Sequence, residues 1–142
     1  MVRSLLTLFK VVWALPNTAL GVILLPIAML FGVTIRRVAG VVEVHGTGSA
    51  WLLRNLVPLK GGAAAITLGH VVYGRDEAGL ARCRAHERAH VRQCERWGPF
   101  FIPAYLLASL VAFAQGGHAY RDNGFERQAR AEEAEYPARP SA

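Results

Sequence analysis

His86-Glu87-Arg88-Ala89-His90 places two histidines four residues apart, with a glutamate beside the first. On a helix, residues four apart stack on one face, so both imidazoles can reach a single ion. Imidazole nitrogens are good zinc ligands, and a carboxylate adjoining the first of them lies next to a metal-bound water. Zinc lowers the pKa of that water, and the glutamate can then take its proton. Attack of the resulting hydroxide on a metal-polarised carbonyl is the chemistry of peptide-bond hydrolysis.

A catalytic zinc needs three protein ligands and one open position. The downstream candidates for the third are His118, Asp122, Glu126, Glu132, Glu133 and Glu135. Glu126 is the choice. It opens a charged helix expected over Phe125 to Glu135, after a turn that can bring it back onto the first helix. Phe125 can anchor that register in the core. Tyr120 and His118 are candidate donors to a developing oxyanion, and packing within the turn would account for them equally well. Cys83, one turn before His86, is a rival ligand. Cys83 and Cys94 cannot bridge within one helix, because their separation corresponds to about 16 Å of rise. Both read as small buried packing residues, and nothing demands an oxidising compartment.

The helix must aim these groups. At about 100° per residue, Leu80, Cys83, His86, Glu87, His90, Val91, Cys94 and Trp97 share a sector of roughly 120°. Arg82, Arg84, Arg88, Arg92, Glu95 and Arg96 fall opposite. The motif therefore sits on the buried face, where two histidines and a carboxylate are costly unless paired or bound to metal. The plainer alternative is that neighbouring carbonyls satisfy the histidines. The chain has 142 residues and a net charge of +6, most of it arginine. The arginine-rich face reads as solvated, with an anionic membrane surface as the second reading. No basic-aromatic pattern or nucleic-acid motif is present, which argues against a nucleic-acid partner.

Length fits a single domain. The expected class is α+β. Residues 1–35 form an apolar N-terminal helical segment, 36–135 a minimal catalytic domain and 136–142 a disordered tail. Between Val11 and Val33 only Asn17 and Thr18 are clearly polar, long enough to span a bilayer. Pro16 and Pro26 interrupt the run, so two short helices are expected, the second starting near Asn17 or Thr18. A kinked span, an in-plane anchor and core-packed helices are all compatible, and membrane attachment is favoured. Val38 to His45 and Ala63 to Tyr73 are β-branched, Gly-bounded and read as strands of a small, antiparallel sheet. An extended substrate could add to its edge. His45 and His70 read as ordinary strand residues. Gly46 to Ser49 and Lys60 to Gly62 read as turns, and Trp51 to Leu59 as strand or loop. The motif helix should stop at Gly98-Pro99. Phe100 to Ala114 is then an apolar helix packed on the motif face, or a membrane-dipping segment.

His86-Glu87-x-x-His90, followed by a helical glutamate in Asn123-Gly124-Phe125-Glu126-Arg127-Gln128-Ala129, resembles the gluzincin class of zinc metallopeptidases. The likeness is to its minimal-scaffold and membrane-linked members, whose second motif is Glu-x-x-Ala. The blocks His86–Gly98 and Tyr120–Arg130 are also similar to small bacterial proteins with an apolar N-terminus. The resemblance covers residues 63–133. It implies His86, His90 and Glu126 as zinc ligands, Glu87 as general base and acid, and a peptide or protein substrate. It also implies a place at the bacterial inner membrane, with the cytoplasm as alternative. One departure stands out: such peptidases often carry an aspartate just after Glu-x-x-Ala, orienting a zinc-binding histidine, and Arg130 occupies that position here. Two other readings remain open: a non-catalytic metal-binding or structural membrane-associated protein, and a metal-free module that docks a membrane partner.

Overall fold

The computed structural model describes residues 2–136. The elements run α1 (Val2–Trp13), α2 (Leu15–Met29), β1 (Thr34–Val38), β2 (Val41–His45), α3 (Thr47–Asn55), β3 (Ala65–Leu68), β4 (Val71–Gly74), α4 (Glu77–Trp97), α5 (Phe101–Ala114) and α6 (Gly124–Glu135), an α+β fold. A single 3-10 turn, Gly98–Phe100, joins α4 to α5. Beyond Tyr136, the expected tail falls outside the described residues.

The sheet has the order β1-β2-β4-β3. Its outer pairs, β1–β2 and β3–β4, are antiparallel as expected, but the central β2–β4 pair is parallel. The cause is α3, which carries the chain across before the second hairpin returns with β4 on the inside. Trp51 to Asn55, expected in a strand or loop, thus belongs to a helix, and the supposed turn Gly46 to Ser49 leads into it. Glycine is needed at position 48 because a Cβ there would come within 1.8 Å of the Ala28 carbonyl oxygen of α2. The run 63–73, expected as one strand, folds back at Gly69-His70, with Leu68 opposite Val71. Gly69 has φ +63°, a conformation that favours glycine. His70 lies in this turn, not in a strand; its backbone N–H donates to Thr18 Oγ1 at 3.1 Å and its ring meets Glu95 at 3.2 Å.

Strand alternation gives the sheet two distinct faces. Val44, Val71 and Tyr73 point to one side and pack with Ala28, Leu52 and Leu53 of α2 and α3. Val41 and Val72 point to the other and pack with Leu80 and Val91 of α4. Glu43, Val72 and Thr67 form one row across the sheet on this second side. Glu43 accepts a two-pronged bond from Arg84 at 2.8 and 2.9 Å and faces Arg88 at 3.5 Å. Arg84 and Arg88 therefore do not lie on a solvated face: they fix α4 to the sheet. Helix α6 lies along α4, where Arg92 pairs with Glu132 at 2.7 Å. This second neighbour buries Ala89 and Gln93, outside the predicted sector, while Trp97 inside it is exposed.

Helix α2 starts at Leu15, with Pro16 in its first turn, and not at an Asn17 or Thr18 cap. Asn17 is drawn away because its side-chain amide donates to Gly98 O at 2.7 Å. Helices α1 and α2 meet at a 60° bend. One side of α2 packs on the fold, while Leu5, Leu6, Phe9, Val22, Ile23 and Leu30 are exposed. Helix α5 buries Phe101 and Ala112 and leaves Leu106, Leu107, Leu110 and Phe113 more than 60% exposed. The helical stretch Glu77–Ala114, taken as one, is long and apolar enough to cross a membrane.

Candidate metal centre

Helix α4 is framed at both ends. Asp76 Oδ1 accepts from the Gly79 N–H at 2.6 Å, and Gly98 closes the last turn. Between them the helical period lifts His86, Glu87 and His90 off one face, all buried. Helix α6 is set by Asn123, whose Oδ1 accepts from the Phe125 N–H at 2.8 Å. The Asn123 amide donates to Tyr105 O at 3.0 Å and Ser109 Oγ at 2.8 Å, tying this helix start to α5. Phe125 packs edge-on against Trp97 and Phe101 at 5.4 and 5.5 Å between centroids. With that register fixed, Glu126 points inward and is 2% exposed.

The three expected ligands converge. His86 Nε2 lies 3.1 Å from His90 Nε2 and 3.1 Å from Glu126 Oε2, and His90 Nε2 lies 3.1 Å from Glu126 Oε1. Tetrahedral zinc with bonds of about 2.0–2.1 Å needs ligand atoms roughly 3.3 Å apart.

The surrounding contacts fix which ring nitrogens carry protons. The Gln93 amide nitrogen donates to Phe125 O at 3.0 Å and Gln128 Oε1 at 3.2 Å, which leaves Gln93 Oε1 as an acceptor. His90 Nδ1, 2.8 Å from that oxygen, must carry the proton. In the neutral ring, His90 Nε2 is then a bare lone pair. His86 Nδ1 faces Glu133 Oε2 at 3.4 Å, which assigns the same tautomer. Two lone pairs and a carboxylate thus meet in one buried spot with no donor among them. A cation satisfies all three, so the donor set fits zinc. Burial draws the His90 imidazolium down, but the bond to Glu126 and the Glu87 charge outweigh it and raise its pKa. Burial works to raise the Glu126 carboxyl, yet its bonds with His86 and His90 hold it well below the usual carboxylate range.

Glu87 stands beside this cluster and outside it. Thr67 Oγ1 donates to its Oε2 at 2.7 Å, leaving Oε1 unengaged by that bond. Burial pushes its carboxyl above the ordinary range, as suits a base. Tyr105 O–H donates to Glu126 Oε1 at 2.7 Å. Tyr120 borders the cleft beside Glu87, and burial together with the Glu126 charge pushes its phenol pKa upward. His118 is exposed and only organises its turn, accepting from the Tyr120 and Arg121 N–H groups at 3.2 Å. Asp122 caps the same turn, Glu132 holds Arg92, and Glu135 is exposed on α6. Cys83 is no ligand: its thiol donates to Gly79 O at 3.0 Å, and burial pushes its pKa to about 11. Cys94 is buried, and both cysteines are free.

Thr67, Gln93 and Tyr105 were not singled out in the sequence. Gln93, three residues after His90, was open to a helical reading, whereas Thr67 and Tyr105 act across tertiary contacts. The far nitrogens of the two rings have separate partners: Gln93 Oε1 lies 2.8 Å from His90 Nδ1, and Glu133 Oε2 lies 3.4 Å from His86 Nδ1. Gln93→Leu should therefore lower zinc affinity about 10- to 100-fold, read by competition with a chromophoric chelator. Unchanged affinity would mean that Gln93 does not support the site.

Comparisons with protein-family models, curated proteins and solved structures find no match to this chain.

Proposed function

We propose that this protein is a zinc-dependent metallopeptidase of gluzincin type, working at a membrane surface. The observation that carries the reading is the donor-free convergence of His86, His90 and Glu126, with a second buried carboxylate, Glu87, alongside. Bound zinc would supply Lewis acidity and an acidified water. Glu87, oriented by Thr67, would take the proton at Oε1 and later hand it to the leaving amine. Tyr120, which borders the cleft beside Glu87, would donate to the oxygen of the scissile carbonyl. Strand β3 is at a sheet edge, and Ala65 to Leu68 border the cleft with Glu87 and His90. A substrate in extended form can pair there by strand addition.

The exposed apolar sides of α1, α2 and α5 support attachment to a bilayer. Helix α5, with 14 residues, is short for a span and fits an in-plane or dipping position. A bacterial inner membrane is the compartment this reading implies.

Arg130 favours a second reading, a metal-binding protein without peptidase activity. Its guanidinium lies 3.9 Å from Glu126 Oε2, where a cation weakens a ligand's donation to metal.

The test is zinc content and peptide hydrolysis of protein purified in detergent without chelators. About one zinc per chain is expected, with cleavage lost on chelation and restored by zinc. Zinc without cleavage favours the second reading. Neither metal binding nor cleavage after zinc addition sinks both.

A further inference from the structure

Two cavities share Leu59, Ala63, Ala65, Glu87 and Tyr120, and differ in the charged groups along their outer borders. One, of about 330 Å³, lies between β3 and α5 and is walled by Ile66, Leu68, Phe101, Ile102 and Leu106. The other, of about 780 Å³, lies on the His86 side and is bordered by Arg82, Arg121 and Arg130. These arginines come from α4, the α5–α6 turn and α6, so folding alone brings them together. Arg130 is engaged, donating to Arg121 O and lying near Glu126. Among the described residues, Arg82 and Arg121 have no salt bridge, and no hydrogen bond is made by their guanidinium groups. Two acidic groups border this side: Glu133 is turned to His86 Nδ1 at 3.4 Å, and Glu87 accepts from Thr67 at 2.7 Å. Two exposed arginines without ion-pair partners among the described residues therefore border the second cavity. Guanidinium matches a carboxylate in planar, two-pronged geometry.

We infer that the cleft is sided: the β3–α5 half takes a large apolar side chain, and the Arg82–Arg121 half takes a carboxylate on the far side of the cleaved bond. This rests on the peptidase reading and adds to it the class of peptide accepted. The carboxylate can be an aspartate or glutamate side chain or the free C-terminus of the substrate, because the same guanidinium chemistry recognises either.

The experiment uses full-length, zinc-loaded Glu87→Gln protein and fluorescence anisotropy with short labelled peptides built around one leucine. Three peptides differ only at the far side: glutamate with an amidated C-terminus, glutamine with an amidated C-terminus, and glutamine with a free C-terminus. At least one carboxylate peptide should bind about tenfold tighter than the neutral one, and which one identifies the source. The advantage should vanish in a combined Arg82→Glu, Arg121→Glu variant and persist in part in Arg82→Lys, Arg121→Lys. Equal binding of all three peptides, no binding, or a preference that survives charge reversal would overturn the inference. If wild type cleaves the three at equal rates, the sided cleft falls and the peptidase stands. If carboxylate peptides bind through the arginines but zinc-loaded wild type cleaves none, the cleft stands and the peptidase falls.

Discussion

Glu87→Gln is expected to lower the turnover of a cleaved peptide by about 10²- to 10⁴-fold while leaving zinc content unchanged. The substitution is nearly isosteric, and the amide oxygen can still accept from Thr67, so the local packing and the row Glu43–Val72–Thr67 beneath α4 are retained. What disappears is the ability to hold a proton at Oε1. Zinc should stay because Glu87 is outside the group formed by His86, His90 and Glu126. Kinetics on a fluorogenic peptide, with metal analysis of the same samples, provides the check. Unchanged turnover would remove Glu87 as the base, and lost zinc would place it among the ligands.

Glu126→Ala should weaken zinc binding by more than about 100-fold, since even supporting residues around a metal site are worth 10- to 100-fold. The variant leaves two imidazoles, strips Tyr105 of its acceptor and opens a buried polar gap. Glu126→Gln separates these effects, because it keeps an acceptor for Tyr105 and removes only the charge. It should melt close to wild type and still lose zinc. Glu133→Ala is the contrasting case: loss of a partner to His86 Nδ1 should cost less than loss of a ligand. If Glu133→Ala empties the site and Glu126→Ala does not, the third ligand is Glu133.

The centre was legible where chemistry depends on short spacing. His86, Glu87 and His90 share a helix face by period alone, and Glu126 opens a helix expected from Phe125 onward. The N-terminal pair of helices was legible too, with its break near Pro16. What was not legible depends on parts of the chain meeting at a distance. Gly48 looked like a turn residue, but it is a helical glycine pressed against Ala28. Gly69 was hidden inside a β-branched run, although a positive φ there splits one expected strand into two. Arg84 and Arg88 looked solvated because their partner, Glu43, lies on a strand far away in sequence. Parallel pairing of β2 with β4 follows from the α3 crossover, which local pattern does not declare.

The knot at Gly98 has a practical consequence. Asn17 holds the Gly98 carbonyl, and a Cβ at Gly98 would come within 2.4 Å of the Trp13 ring. The same glycine ends the helix that carries both imidazoles. Trimming away the greasy leading arm to obtain a tractable soluble fragment would thus unclamp the far end of that helix and bare the underside of the sheet, where Tyr73 O–H donates to Gly21 O at 2.6 Å. Work on this protein should keep the arm and supply detergent or lipid to cover it.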